Sequence, residues 1–141
     1  MIFEEKIYKN KHAIALAGFP KFGYARLTLL KKAFGGFKEA YEADSDLLIK
    51  AGIKEDAVLE FAAYRKRTSP DRLADECIRE KISVVCNCDE DYPACLREIS
   101  DPPALLFYKG SLAFRDLPAV AIVGARQNTP YGLRAADRLS A

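Results

Sequence analysis

The residues from Val123 to Gly132, Val-Gly-Ala-Arg-Gln-Asn-Thr-Pro-Tyr-Gly, have the types and order that hold an anion. Arg126 offers a planar fork of donors matched to phosphate. Thr129 can cap a helix that opens on Pro130, whose missing N–H costs nothing at a first helical position. Such a start leaves backbone N–H groups and a positive dipole end facing the preceding turn. Gly124 allows a backbone or a ligand to approach closely. The glycine spacing matches neither a dinucleotide fingerprint nor a P-loop. On residue types alone, a plain strand–turn–helix joint with a solvated Arg126 fits equally well.

Four other groups invite a chemical reading. Arg65-Lys66-Arg67, with Arg72, is a short basic cluster near a helix end, which suits a solvated face or a dipole-complementing C-terminus better than a nucleic-acid footprint. Cys77, Cys86, Cys88 and Cys95 contain no C-x-x-C pair, so buried thiols are expected and no metal site. His12 is the single histidine and sits in an apolar run, which gives histidine catalysis little support. Asp89-Glu90-Asp91 reads as a solvated turn that places negative charge ahead of a helix.

These residues need elements to position them. The first half reads as short helices: Lys11 to Ala17 capped by Asn10 and closed by Gly18, Tyr24 to Phe34 stopped by Gly35-Gly36, a short helix capped by Ser45 and ending at Gly52, and Lys54 to Arg67. Ser69-Pro70 opens a further helix that runs to about Glu80. After Lys81 the apolar period changes to two, with Ile82, Val84, Cys86 and Cys88 on one strand face. Pro93 to Ile99 reads as a short helix, Ala104 to Tyr108 as a strand, and Ala119 to Val123 as a strand apolar on both faces, hence central in a covered sheet. A helix follows from Pro130.

The 141 residues are 50% hydrophobic and 30% charged, with 7 Tyr, 8 Phe and no Trp. That excludes a disordered chain and suffices for one ordinary domain or two small ones. No run of 18 apolar residues exists, and the N-terminus lacks a signal peptide's apolar stretch. A cytoplasmic location with free thiols is expected. Residues 1–75 carry 14 Lys and Arg against 11 Asp and Glu, while residues 76–141 carry 8 against 9. A net charge of +2 excludes a binder that works by bulk charge, so any nucleic-acid site is local. A buried parallel strand needs parallel neighbours reached by crossovers. Because the sequence stops at Ala141 inside its first such crossover, residues 82–141 read as the opening third of an α/β domain, and the sequence as a fragment.

A family resemblance covers that same segment. Tyr92-Pro93-Ala94-Cys95-Leu96-Arg97-Glu98-Ile99, Asp101-Pro102-Pro103 and Leu106-Phe107-Tyr108-Lys109-Gly110 are followed by Val120-Ala121-Ile122-Val123-Gly124-Ala125-Arg126 and Thr129-Pro130-Tyr131-Gly132. In order and spacing this resembles the DNA-processing protein A (DprA, or Smf) family. The resemblance implies a helical domain, residues 1–75, and the start of a Rossmann-like parallel-sheet domain, residues 76–141. It implies a single-stranded DNA binder that protects incoming DNA and loads the RecA recombinase in natural transformation, and that can form a homodimer at full length. The residues themselves offer no catalytic nucleophile, base or metal set, so neither enzymatic activity nor a cofactor is expected. It places the DNA or phosphate contact at Gly124, Ala125 and Arg126, with Thr129, Tyr131 and Gly132 in support. Ala125 stands where that family more often has Ser or Thr, which removes a hydroxyl contact.

The segment Leu16 to Arg26 resembles a helix–hairpin–helix, with Lys21 where that motif usually has its first hairpin glycine. Lys21, Gly23 and Arg26 are therefore secondary DNA candidates, and Lys50-Ala51-Gly52-Ile53 is a weaker second copy. Together they imply a sterile-alpha-motif-like helical domain, with a packing or protein-contact module as the equal alternative. Two other readings compete with the whole: a Rossmann-like nucleotide hydrolase of the lysine-decarboxylase-like group, and a helical protein-interaction module.

Overall fold

The computed structural model describes residues 2–112 and 120–140. Within them the fold is mostly helical, with one small sheet. Seven helices come first: α1 (Ile2–Lys9), α2 (Lys11–Ala17), α3 (Tyr24–Phe34), α4 (Phe37–Glu42), α5 (Ser45–Lys50), α6 (Glu55–Arg67) and α7 (Pro70–Arg79). Strand β1 (Ser83–Cys86), helix α8 (Ala94–Arg97) and strand β2 (Leu105–Tyr108) follow, and α9 (Pro130–Ser140) closes the described chain.

Helices α2 and α3 occupy the expected spans, although their ends are made differently. Asn10 does not cap α2 with its side chain; its amide donates back to the Lys6 carbonyl at 3.0 Å. Gly35 ends α3 in the left-handed region at φ 77°, which a side chain would disfavour. The cap of α5 is Asp44 rather than Ser45: its carboxylate accepts the Leu47 N–H at 2.9 Å. Ser69 caps α7 as expected, with Pro70 in the first turn. Two helices were not legible in the pattern. Helix α1 buries little beyond Ile7, so it shows no apolar stripe, and α4 is only six residues long.

Two cores hold these helices. In the first, Phe61 of α6 lies at the centre of a ring of aromatics, 5.3 Å from Phe19, 4.7 Å from Phe22 and 5.9 Å from Tyr41 between ring centroids. Leu16, Leu30, Leu48 and Val58 complete it. Burying each such side chain contributes about 1.5–3 kcal/mol. The second core joins Ile7, Ala13, Ile14 and Ala74 to Cys77, Val84, Cys86 and Leu105, so α1, α2 and α7 pack on the sheet.

The sheet departs from expectation. Strands β1 and β2 pair antiparallel, Ser83 opposite Tyr108 and Cys86 opposite Leu105, whereas a parallel sheet was expected. The expected central strand from Ala119 to Val123 is not formed among the described residues, and Ala119 itself lies outside them. Val120 and Val123 are each 89% exposed. A strand with two apolar faces needs a ladder partner and a cover on each side, and no described strand lies beside this one. Cys88 also leaves the expected strand face: β1 ends at Cys86, and Cys88 is exposed in the turn that follows. Cys95 is exposed too, so only Cys77 and Cys86 are the buried thiols expected of all four.

Candidate nucleic-acid interface

The loop from Val120 to Thr129 and helix α9 place the principal candidate residues. The α9 ladder begins with the Leu133 N–H on the Thr129 carbonyl at 3.0 Å. The Thr129 hydroxyl accepts the Gly132 N–H at 3.1 Å. Pro130 has no N–H, so Tyr131 carries the first-turn amide that neither the helix nor this cap uses. The first turn is thus capped, with its positive end toward the loop that carries Gly124, Ala125 and Arg126. All six candidates, Gly124, Ala125, Arg126, Thr129, Tyr131 and Gly132, are exposed.

Between the loop and α9 lies an open concavity of about 630 Å³, bordered by Val123, Gly124, Ala125 and Thr129 on one side and by Gly132 and Leu133 on the other. A Cβ added at Gly124 would meet nothing within 4 Å. The fold therefore does not demand glycine there, and the space beside its Cα is open to a ligand. Arg126 lies outside the lining of this concavity, and no hydrogen bond or ion pair to another described residue holds its guanidinium. Sequence reasoning missed two neighbours. Arg134 and Arg138 line a second hollow with Tyr131, which puts one aromatic ring and two cations on one face of α9. The signal was present as the spacing of three and then four from Tyr131, the period of a helix face.

Four of the other candidate cations, Lys21, Arg26, Arg65 and Arg72, are engaged within the fold. Lys21 is held by Asp56 at 3.0 Å and Glu60 at 2.9 Å, and these two carboxylates raise its pKa above the ordinary lysine value. Arg26 donates to the Lys21 carbonyl, and Gly23 is the residue that precedes α3. The hairpin of Lys21, Gly23 and Arg26 is thus brought together, but its lysine faces two acids. Arg65 donates to the carbonyls of Tyr41 at 2.6 Å and Ala43 at 2.7 Å, which makes it a brace at the end of α4. Arg72 lies 3.7 Å from Glu76.

The remaining groups fall into structural places. Burial and the neighbouring Lys11 ammonium hold the His12 imidazole below its usual pKa, against Glu42 at 4.0 Å. Asp89 is more than solvated turn: its carboxylate accepts the Cys86 N–H at 2.9 Å and pairs with Lys9 at 3.5 Å. No group of three metal-ligating side chains occurs among the described residues, and no described helix is long and apolar enough to cross a membrane.

The family match found by comparison with known proteins falls on the segment that carries the loop and α9. Residues 83–141 match the family model of DNA recombination-mediator protein A. The chain is 43% identical over 51 residues to the DNA processing protein DprA of Streptococcus pneumoniae, covering 36% of this chain and 18% of that protein. It is 30% identical over 93 residues to the protein Smf of Synechocystis, covering 63% of this chain and 23% of that one. The chain thus spans about a fifth of the length of these curated relatives. No solved structure matches it. The anion-suited turn and the helix behind it both lie within residues 83–141, the segment that is similar to the DNA recombination-mediator protein A family.

Proposed function

We propose that this chain serves a recombination mediator that binds single-stranded DNA, with the phosphate held at the turn of Gly124, Ala125 and Arg126. Thr129 and Gly132 form the cap that presents the turn, and Tyr131 supplies a ring on which a base can stack. The observation that carries the reading is the contrast among cations. Lys21, Arg26 and Arg65 are engaged by carboxylates or carbonyls, whereas Arg126 is exposed beside a capped helix start within the family-matched segment. Tyr131 with Arg134 and Arg138 adds the pairing of aromatic ring and positive charge that single-strand binders use.

In this reading residues 76–141 are the start of a Rossmann-like unit, and residues 1–75 are a sterile-alpha-motif-like helical unit. The wider role is loading of the RecA recombinase during DNA uptake, in the cytoplasm, with a homodimer as the assembled form. The role is binding rather than catalysis. The printed name of the Streptococcus pneumoniae relative, a DNA processing protein, supports this direction.

Fluorescence anisotropy with a labelled single-stranded oligonucleotide tests the reading. The wild-type chain should bind in a salt-sensitive manner, and Arg126→Ala should weaken binding for every base composition while leaving the circular dichroism spectrum unchanged. Equal affinity of the two proteins would place the DNA contact elsewhere.

A further inference from the structure

Cys86 and Cys88 were set aside in the sequence as thiols without metal spacing, yet the turn after β1 brings them together. Cys86 is buried at the end of β1, held there by ladder pairing with Leu105 and by the Asp89 carboxylate on its own N–H at 2.9 Å. The chain then reverses through Asn87 and Cys88, with the Asn87 N–H on the Ala104 carbonyl at 3.1 Å. This reversal turns the two side chains toward each other and places Sγ of Cys88 2.8 Å from Sγ of Cys86. That separation is less than 1 Å longer than the roughly 2.05 Å of a disulfide bond. Cys88 is exposed, as is Cys95.

A third group completes the cluster. Lys31 of α3 reaches across to place its Nζ 3.1 Å from Cys86 Sγ and 2.7 Å from Asn87 Oδ1, with the Phe37 ring 5.5 Å away. We propose that Cys86 and Cys88 form a reversible disulfide site, in which the exposed Cys88 meets a hydroperoxide and the buried Cys86, beside the Lys31 ammonium, closes the bridge.

The chemistry balances in two steps. The Cys88 thiolate attacks one oxygen of hydrogen peroxide; an S–O bond forms, the O–O bond breaks, and the leaving hydroxide takes up the thiol's proton as water. Cys86, as thiolate, then attacks the Cys88 sulfur; the S–S bond forms, the S–O bond breaks, and hydroxide leaves with the Cys86 proton as a second water. Two thiols lose two electrons and two hydrogens, and the peroxide becomes two waters. Burial and then the Cys88 thiol raise the Cys86 pKa, and Lys31 opposes them. Burial likewise works against the Lys31 ammonium, but its contacts with Cys86 and Cys88 outweigh it and raise the lysine's pKa. Lys31 is thus a positioning residue for the second step, able to stabilise the thiolate that attacks. In a reducing compartment disulfides of this kind are transient and redox-sensing rather than structural.

The test treats the intact 141-residue chain with one equivalent of hydrogen peroxide, then alkylates and sequences its peptides by mass spectrometry. The expected product has lost two hydrogens, resists alkylation at Cys86 and Cys88 alone, and returns to four free thiols with dithiothreitol. Cys95→Ser should still form the bridge, and Cys86→Ser should leave a Cys88 sulfenic acid that dimedone traps. Lys31→Met should slow closure so that the sulfenic acid accumulates, and Lys31→Arg should restore the rate. A bridge to Cys95, a disulfide between two chains, or Cys88 oxidised to sulfinic acid with Cys86 still alkylatable would each overturn the proposal.

Discussion

Arg65 and Arg126 are the same residue type with opposite fates, and the difference is made by what surrounds each. Arg65 is half-buried, its guanidinium 4.9 Å over the Phe61 ring and its Nη1 on two carbonyls at the end of α4. Replacing it removes a charged donor from two acceptors that have little other access to partners. Arg65→Met should therefore destabilise the fold by about 1.5–3 kcal/mol, read as a lower urea midpoint at unchanged slope. DNA binding should follow only the folded fraction. Arg126 should behave in the reverse way. Its loss should cost little stability but roughly ten- to hundredfold in single-strand affinity, the range for a charge-assisted contact. Arg126→Lys should recover part of that, because an ammonium keeps the charge and loses the fork. The slope of affinity against salt should fall by about 0.7 on removal of one phosphate contact, as anisotropy titrations at several salt concentrations would show.

At the scale of elements, helix ends decide where each segment stops. Gly52 closes α5 at φ 97°, and Ile53 turns back so that its N–H meets the Leu48 carbonyl at 3.1 Å. A Cβ there would lie 3.8 Å from Leu29, an ordinary contact, so any cost is in the backbone and not in packing. Gly52→Ala should lower stability by about 1–2 kcal/mol, measured by thermal or urea unfolding, with the aromatic core intact by near-ultraviolet circular dichroism. The same logic explains which elements the sequence disclosed. Gly35-Gly36, Ser69-Pro70 and Thr129-Pro130 are local signals acting on their own neighbours, and α3, α7 and α9 start or stop at them. Helix α1 lacks such signals and is anchored by the burial of Ile7 against residues far along the chain, which no window of sequence can show.

For the whole molecule, the two cores bear on the division of the chain at residues 75 and 76. The aromatic core draws all but Ala104 from residues 15–61. The second core takes Ile7, Ala13, Ile14 and Ala74 from one side of that division and Cys77, Val84, Cys86 and Leu105 from the other. We propose that residues 1–75 fold as a unit around Phe61 and are further stabilised by the sheet. A fragment of residues 1–75 should melt cooperatively, but at a lower temperature than the full chain, because Ile7, Ala13 and Ile14 lose their cover. A broad, non-cooperative melt by differential scanning calorimetry would show that the first unit depends on the second.

The sequence by itself determined the local events: helix spans set by caps and breakers, the change of apolar period after Lys81, and the strand-like runs around Val84 and Leu106. These depend on the stereochemistry of a residue and its near neighbours, which the order of amino acids states directly. It also carried the family resemblance, because the turn at Gly124 to Arg126 and the Thr129-Pro130 cap are contiguous in the chain. Tertiary structure alone decided the antiparallel pairing of β1 with β2, the exposure of Val120 and Val123, and the meeting of Lys31 with Cys86 and Cys88. It also decided which cations are engaged: Lys21 meets acids 35 and 39 residues away, and Arg65 meets carbonyls more than 20 residues back. The physical reason is the same in each case. Pairing, burial and charge compensation act between groups distant in sequence, and only the packed chain fixes which of them come within a few ångströms.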